Sequence, residues 1–207
     1  MTIHPRTVRS PTETIILKSV ASNKKLGAGS NVISKGKWRG MLMFQLSLQE
    51  RASCPSSCTQ WASCYANNMR FAHRIDHTHP EFMPKLADEI DALAKVYRHG
   101  FVVRLHVIGD IYSDEYAAFW VEQTAIHRNL HVFGFTHHLR DSVIGRMVTE
   151  WNKNPRVWVR FSDQGGDMSA NVEGEGFPCP EQTGQTQSCL TCGACWSTTK
   201  AVSFKAH

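Results

Sequence analysis

Seven cysteines fall in two groups, Cys54, Cys58 and Cys64 within "SCPSSCTQWASCYA" and Cys179, Cys189, Cys192 and Cys195 near the far end of the chain. The total is odd, and the first twenty residues lack the apolar segment and small-residue cleavage site of a secretory leader, so the expected compartment is a reducing cytoplasm with little use for disulfides. Ligation of a metal or cluster is the chemistry such spacing serves. The late group reads C-x9-C-x2-C-x2-C with Gly193 in the turn, and its four thiolates would close the shell of zinc or of an iron–sulfur cluster. Two successive x2 gaps favour a cluster, because zinc sites more often use two separated pairs. The early group has only three thiols for the four irons of a cubane. The last position then falls to His73, His106 or Asp110, to a late cysteine, or stays open to a small molecule as in catalytic metal centres.

Elements must bring these groups together. "GMLMFQLSLQ" (40–49) reads as a buried strand followed at once by the early cysteines. "PEFMPKLADEIDALAKVYRHG" (80–100) carries Leu86, Ile90, Leu93 and Val96 at helical spacing, with Gly100 as a stop. "FVVRLHVIGD" (101–110) reads as a strand ending at Gly109-Asp110, and residues 113–127 as a helix with Ser113 as N-cap and Asp114 and Glu115 in its first turn. A strand over 130–138, a helix over 139–154 with Pro155 beyond it, and a strand over 156–162 complete a βαβαβαβ order. The predicted class is α/β, either a partial (β/α) barrel or an open parallel sheet, with a cysteine-rich, loop-rich C-terminal tail. Three segments follow: a basic N-terminal arm (1–39), a (β/α) core with the three-cysteine loop (40–164), and a cysteine-rich segment packed on the core (165–207).

In either architecture function gathers at the carboxyl ends of the strands. The early cysteines, Gly109 and Asp110, Thr136 to His138, and Ser162 to Gln164 would share that edge. Asp110 could bind a cofactor or simply cap the turn. Arg104 and His106 alternate on one strand and are expected to share a face, whereas only one of the adjacent His137 and His138 can point to the site. Arg160 and Asp163 could hold a ribose or carboxylate, with an ordinary salt bridge as the simpler role. Trp61 and Trp196 are placed to shield a cluster, while Trp120 and Trp151 belong to helices. Beyond 164 the apolar residues thin out, only "AVSF" (201–204) resembles a strand, and the late cysteines are left to hold the segment.

The net charge of +5 is concentrated in the arm, where Arg6, Arg9, Lys18, Lys24, Lys25, Lys35, Lys37 and Arg39 face only Glu13. Such an arm could bind nucleic acid, with solvated surface lysines as the plainer reading. No apolar run reaches the length of a membrane helix, so no membrane association is expected.

Three cysteines after the first strand of a (β/α) array, the last followed by Tyr65, resemble the cluster loop of radical S-adenosylmethionine enzymes. The usual spacing there is C-x3-C-x2-C, and this chain has C-x3-C-x5-C. Ile108-Gly109-Asp110-Ile111 stands where that superfamily has a Gly-Gly-Glu-Pro-like turn. The resemblance implies a 4Fe–4S cluster on Cys54, Cys58 and Cys64, S-adenosylmethionine held with help from Gly109 and Asp110, and an electron donor as partner. "CPSSCTQWASCYANN", "RLHVIGDIYSDEYAAFW" and the tail from Cys179 are similar to the phage gene product 88 family, which implies an iron–sulfur protein in the cytoplasm of a host cell. Three functional expectations stand: an iron–sulfur protein with one or two clusters, acting as a radical or redox enzyme; a zinc-containing nucleic-acid-binding module; and a non-catalytic redox or sensing protein with one 4Fe–4S cluster shared between the groups.

Overall fold

The computed structural model describes residues 2–206. In chain order the strands are β1 (Val8–Arg9), β2 (Lys18–Ser19), β3 (Leu42–Ser47), β4 (Arg74–Ile75), β5 (Phe101–Ile108), β6 (Leu130–Thr136), β7 (Val157–Ser162), β8 (Ser169–Val172), β9 (Phe177–Pro178) and β10 (Val202–Phe204). The α-helices are α1 (Phe82–Val96), α2 (Asp114–Ile126), α3 (Val143–Trp151) and the single turn α4 (Cys189–Cys192). None of the described helices is long and apolar enough to cross a membrane.

Strands with the order β2-β3-β5-β6-β7-β8-β10-β9 form one sheet, parallel at every pairing except β2 with β3. From β3 to β8 the strands lie side by side in chain order, with no reversal that would create the switch point of a doubly wound sheet. The crossovers α1, α2 and α3 supply the helices that parallel neighbours require. The last pairing has none: β7 runs parallel to β8 through residues 163–168 alone, a reversal that takes left-handed backbone at Asp163, Gly165, Gly166 and Met168.

The helices form where the periodicity places them. Phe82, Leu86 and Ile90 are the buried face of α1, and Val96, expected with them, is exposed where the helix ends. Pro84 costs α1 little, because the N–H it lacks would have no partner in the first turn. Ser113 caps α2 by accepting from the Tyr116 N–H, and Ser142 caps α3 by accepting from the Gly145 N–H, so α3 begins later than its apolar pattern suggests.

Each sheet face has its own core. On one face Phe101, Val103, Leu105, Val132 and Val159 pack with Leu86 and Ile90 of α1, Tyr116 and Trp120 of α2, and Val148 and Trp151 of α3. On the other, Met43, Val102 and Phe133 pack with Val20, Leu26, Ile33 and Trp38 from the N-terminal segment and with Leu190 and Trp196 from the tail. Each such side chain, fully buried, contributes about 1.5–3 kcal/mol.

The tail differs from its sequence-based expectation. It holds more than its cysteines, since β8 and β10 extend the sheet and Leu190, Trp196 and Val202 are fully buried. The basic segment likewise packs by its apolar residues. Ile16 and Leu17 join the helix-side core, and their N–H groups donate to the Glu89 carboxylate of α1 at 2.8 and 2.7 Å. Lys24, Lys35, Lys37 and Arg39 remain exposed.

Candidate functional site

A cavity of about 320 Å³ lies at the carboxyl ends of β3, β5, β6 and β7, and all seven cysteines line it. Residues from the N-terminal segment (Asn23, Lys25, Leu26), the strand ends (Ile108, Gly109, Asp110, His137, Ser162, Asp163) and the tail (Glu181, Gly193, Trp196, Phe204) complete its wall. This size is within the range of small-ligand sites.

The early cysteine loop is fixed by hydrogen bonds at the ends of β3, β5, β6 and β7. Ser53 donates to the Gln49 carbonyl at 2.7 Å and accepts from the Asp110 N–H at 3.3 Å. Ser57 donates to the His137 carbonyl at 2.8 Å, while Thr59 and Gln60 both donate to Asp163 Oδ2 at 2.9 and 3.0 Å. Gly109 is required at its position: its φ is +90°, and a Cβ there would come within 2.4 Å of Ser53 Oγ and 2.8 Å of Leu48 Cβ.

The late group is fixed by the N-terminal segment and by β7. Cys189 and Leu190 donate their N–H groups to the carbonyls of Lys25 and Leu26 at 2.9 and 3.1 Å. Gly193 ends α4 in the left-handed region, and its Cβ position lies 2.7 Å from the Lys35 carbonyl oxygen. Trp196 stacks on Trp38 with ring centroids 6.1 Å apart. Buried Arg160 donates to the carbonyls of Cys195 (2.7 Å), Lys200 (3.0 Å), Ser169 (3.1 Å) and Thr198. It therefore binds the tail's backbone and makes no salt bridge with Asp163.

All seven thiols are free. Burial, then the neighbouring Asp110 carboxylate, pushes Cys54 to about 12. Cys58 is raised chiefly by burial, Cys189 is raised strongly by burial and then by Cys195, and burial pushes Cys195 to about 12 against the pull of Arg160. Such thiols are neutral and poor nucleophiles near pH 7. Their interactions sort by group. Cys54 feels Cys58 and Cys64, whereas Cys195 feels Cys179 and Cys192.

Asp110 is buried, and both its oxygens have partners: Oδ1 accepts from the Ile111 N–H at 2.7 Å and Oδ2 from the His137 N–H at 2.8 Å. Burial raises its pKa, partly offset by His138 and these N–H groups. Of the two adjacent histidines, His137 lines the cavity with Nε2 3.8 Å from Asp163 Oδ2, and His138 turns to the Ile111 carbonyl at 2.6 Å. His73 stands apart from the cavity wall, bonded to Lys18 at 2.7 Å. Trp61 is also outside that wall and partly exposed, so of the two tryptophans expected to shield the site only Trp196 does.

Arg104 and His106 both line the cavity but take different partners. His106 Nε2 bonds the Tyr116 hydroxyl at 3.0 Å, and Arg104 lies over the rings of Phe133 and Phe135 at 5.1 and 4.6 Å. A shift in the β3–β5 register between Gln45 and Ser47 accompanies their divergence. Neither Arg104 nor Tyr65 was singled out as a cavity residue on sequence grounds. The signal for Arg104 was present, because "FVVRLHVI" sets one cation inside a run otherwise apolar enough for a buried strand, and all eight residues are indeed buried.

Among the described residues no group of three or more His, Cys, Asp or Glu side chains is arranged to hold a metal ion. A cubane has irons at four corners and spreads its thiolates further apart than one tetrahedral ion does. Seven free thiols around a single cavity are soft donors of the kind such a cluster takes.

A family model described as gene product 88 matches residues 15–171. The chain belongs to the gene product 88 family. The matched span includes the early cysteines, Gly109, Asp110 and Arg104, and it ends before Cys179. No curated protein and no solved structure matches the chain.

Proposed function

We propose that this member of the gene product 88 family is an iron–sulfur protein with two clusters at the carboxyl edge of an open (β/α) barrel-like sheet, acting as a redox or radical enzyme. The observation that carries this reading is the single cavity lined by every cysteine in the chain. Seven thiols would otherwise be an unusual lining for a cavity in a chain of 207 residues. The late group has a full set of four donors and the early group one fewer, which leaves one coordination position for a small molecule.

When bound, the clusters would supply one-electron chemistry. The chain's own residues hold the thiols, exclude water and fix the turn beside the early group. Trp196, Phe133 and Phe135 make the wall beside the late group apolar, which favours low cluster charge and limits solvent access. Asp110 gives its oxygens to the Ile111 and His137 N–H groups, so with Gly109 it shapes the ledge on which S-adenosylmethionine would rest.

Anaerobic reconstitution followed by iron, sulfide and zinc analysis and a visible spectrum tests the reading. About eight irons per chain are expected. About four, lost on substitution in either cysteine group, would point instead to one shared cluster, and a colourless protein with about two zincs per chain would overturn the iron reading. Reduction of the loaded protein with S-adenosylmethionine is expected to release 5′-deoxyadenosine, and its absence would leave a redox protein without radical chemistry.

A further inference from the structure

Arg104 is 8% exposed, projects from the middle of β5 into the cavity, and among the described residues makes no ion pair. Its Nη1 donates to the neighbouring Leu105 carbonyl, and its Nε has no hydrogen-bond partner. Phe133 and Phe135 pave one side of the guanidinium. Cation–π contact of this kind offsets only part of the cost of stranding a buried charge. Tyr65 beside the early thiols, Cys189 and Cys195 of the late group, and Asp110 line the same cavity and act on its charge. Asp110 does not neutralise it by contact, because among the described residues the two make no ion pair, and the Asp110 oxygens accept from the Ile111 and His137 N–H groups.

We propose that Arg104 is the anion anchor of the cavity, taking the carboxylate of a small organic ligand whose flat apolar body lies against Phe133 and Phe135. The planar fork of a guanidinium suits a carboxylate, and the aromatic floor suits an unsaturated or aromatic body. Four observations converge: a buried cation, a donor without an acceptor, an aromatic floor and a cavity of ligand size. The proposal stands whether or not iron is bound. The one competing source of negative charge is a thiolate-ligated cluster, and the two are separable.

The probes are benzoate and its neutral counterpart benzamide, titrated into full-length protein, metal-free and reconstituted, and followed by melting temperature and calorimetry. Benzoate is expected to bind saturably and to raise the melting temperature of the metal-free protein, and benzamide to bind roughly tenfold to a hundredfold more weakly, the loss of one charged hydrogen-bonded contact. R104M is expected to erase the preference for benzoate over benzamide, and R104K to keep part of it. Equal binding of the two probes by wild type, or a benzoate preference that survives in R104M, would overturn the proposal. So would a wild-type protein that binds neither probe while R104M shifts the potential of the reconstituted clusters, since Arg104 would then serve the cluster charge alone. The wild-type comparison needs no variant, so the test holds even if R104M fails to fold.

Discussion

Buried histidines give this protein a defined response to acid. Burial, then the charges of Arg104 and His77, lowers His106 to about 3, and burial, then Arg156 and Lys37, lowers His131 to about 4. Both are neutral in the fold at pH values where the unfolded chain, with its ordinary histidine value of 6.5, has begun to take up protons. Between that value and the lowered ones the unfolded state binds more protons, so stability present above pH 6.5 is lost as pH falls toward 4 and 3. His106→Gln keeps a hydrogen-bonding partner for Tyr116 but cannot titrate. Denaturant unfolding at about pH 7 and about pH 4 is expected to show the wild type losing about 3 kcal/mol more than the variant. Equal losses would mean that His106 is protonated in the fold. The Glu50–Arg74 pair acts later in the same descent. Burial raises the Glu50 pKa, but hydrogen bonds from Thr2, Arg74 and Ile3 overcome it and hold the carboxyl below its ordinary value, so its contribution is lost only at lower pH. None of these environments could be read from the sequence, because a histidine's neighbours come from other elements: Tyr116 and His77 for His106, Trp38 for His131.

Between residues 40 and 162 the elements other than the two-residue β4 were legible, because apolar residues recur there with one clear period at a time and Ser113 marks a helix start as a cap should. The segment after Ser162 was legible only at its end, where "AVSF" (201–204) becomes β10. Its strands are two to four residues long, too short to show alternation, and β8 joins a parallel neighbour without the helix that normally announces such a pairing. What holds these strands is a side chain from β7. Arg160 satisfies four carbonyls between Ser169 and Lys200, and its loss would strand acceptors that water reaches poorly. R160M is expected to lower stability by at least about 2 kcal/mol, with faster amide exchange confined to β8, β10 and the 194–200 segment while α1 to α3 keep their protection. R160K, with a point charge in place of a planar fork, should fall between. A uniform rise in exchange would show that Arg160 supports the whole sheet and not the tail in particular.

At the scale of the molecule, the sheet has α1, α2 and α3 on one face and, on the other, the N-terminal segment from Val20 to Trp38 with the tail, and the cavity is where these meet the strand termini. That arrangement explains why the site was only half legible. The spacing within each cysteine group was plain, but their meeting depends on Leu26 and Trp38 from one end packing with Leu190 and Trp196 from the other, contacts that no local pattern encodes. It also makes the tail part of the fold. The family match ends at residue 171, yet β10 beyond it pairs with β8, Trp196 stacks on Trp38 and meets Phe133 edge to face, and the carbonyls of Cys195, Thr198 and Lys200 are partners of Arg160. A chain stopped after Val172 would leave Trp38, Leu26 and Phe133 facing water and three of the four Arg160 acceptors missing. Losing two large buried residues, Leu190 and Trp196, alone costs about 5–10 kcal/mol, comparable with the whole stability of a domain this size. The truncated protein is therefore expected to melt without a cooperative transition and to bind a hydrophobic dye, while the full chain melts cooperatively with all seven thiols still free. A cooperative melt of the 1–172 fragment would show instead that the helix-side core suffices and that the tail is a separable lid on the cavity.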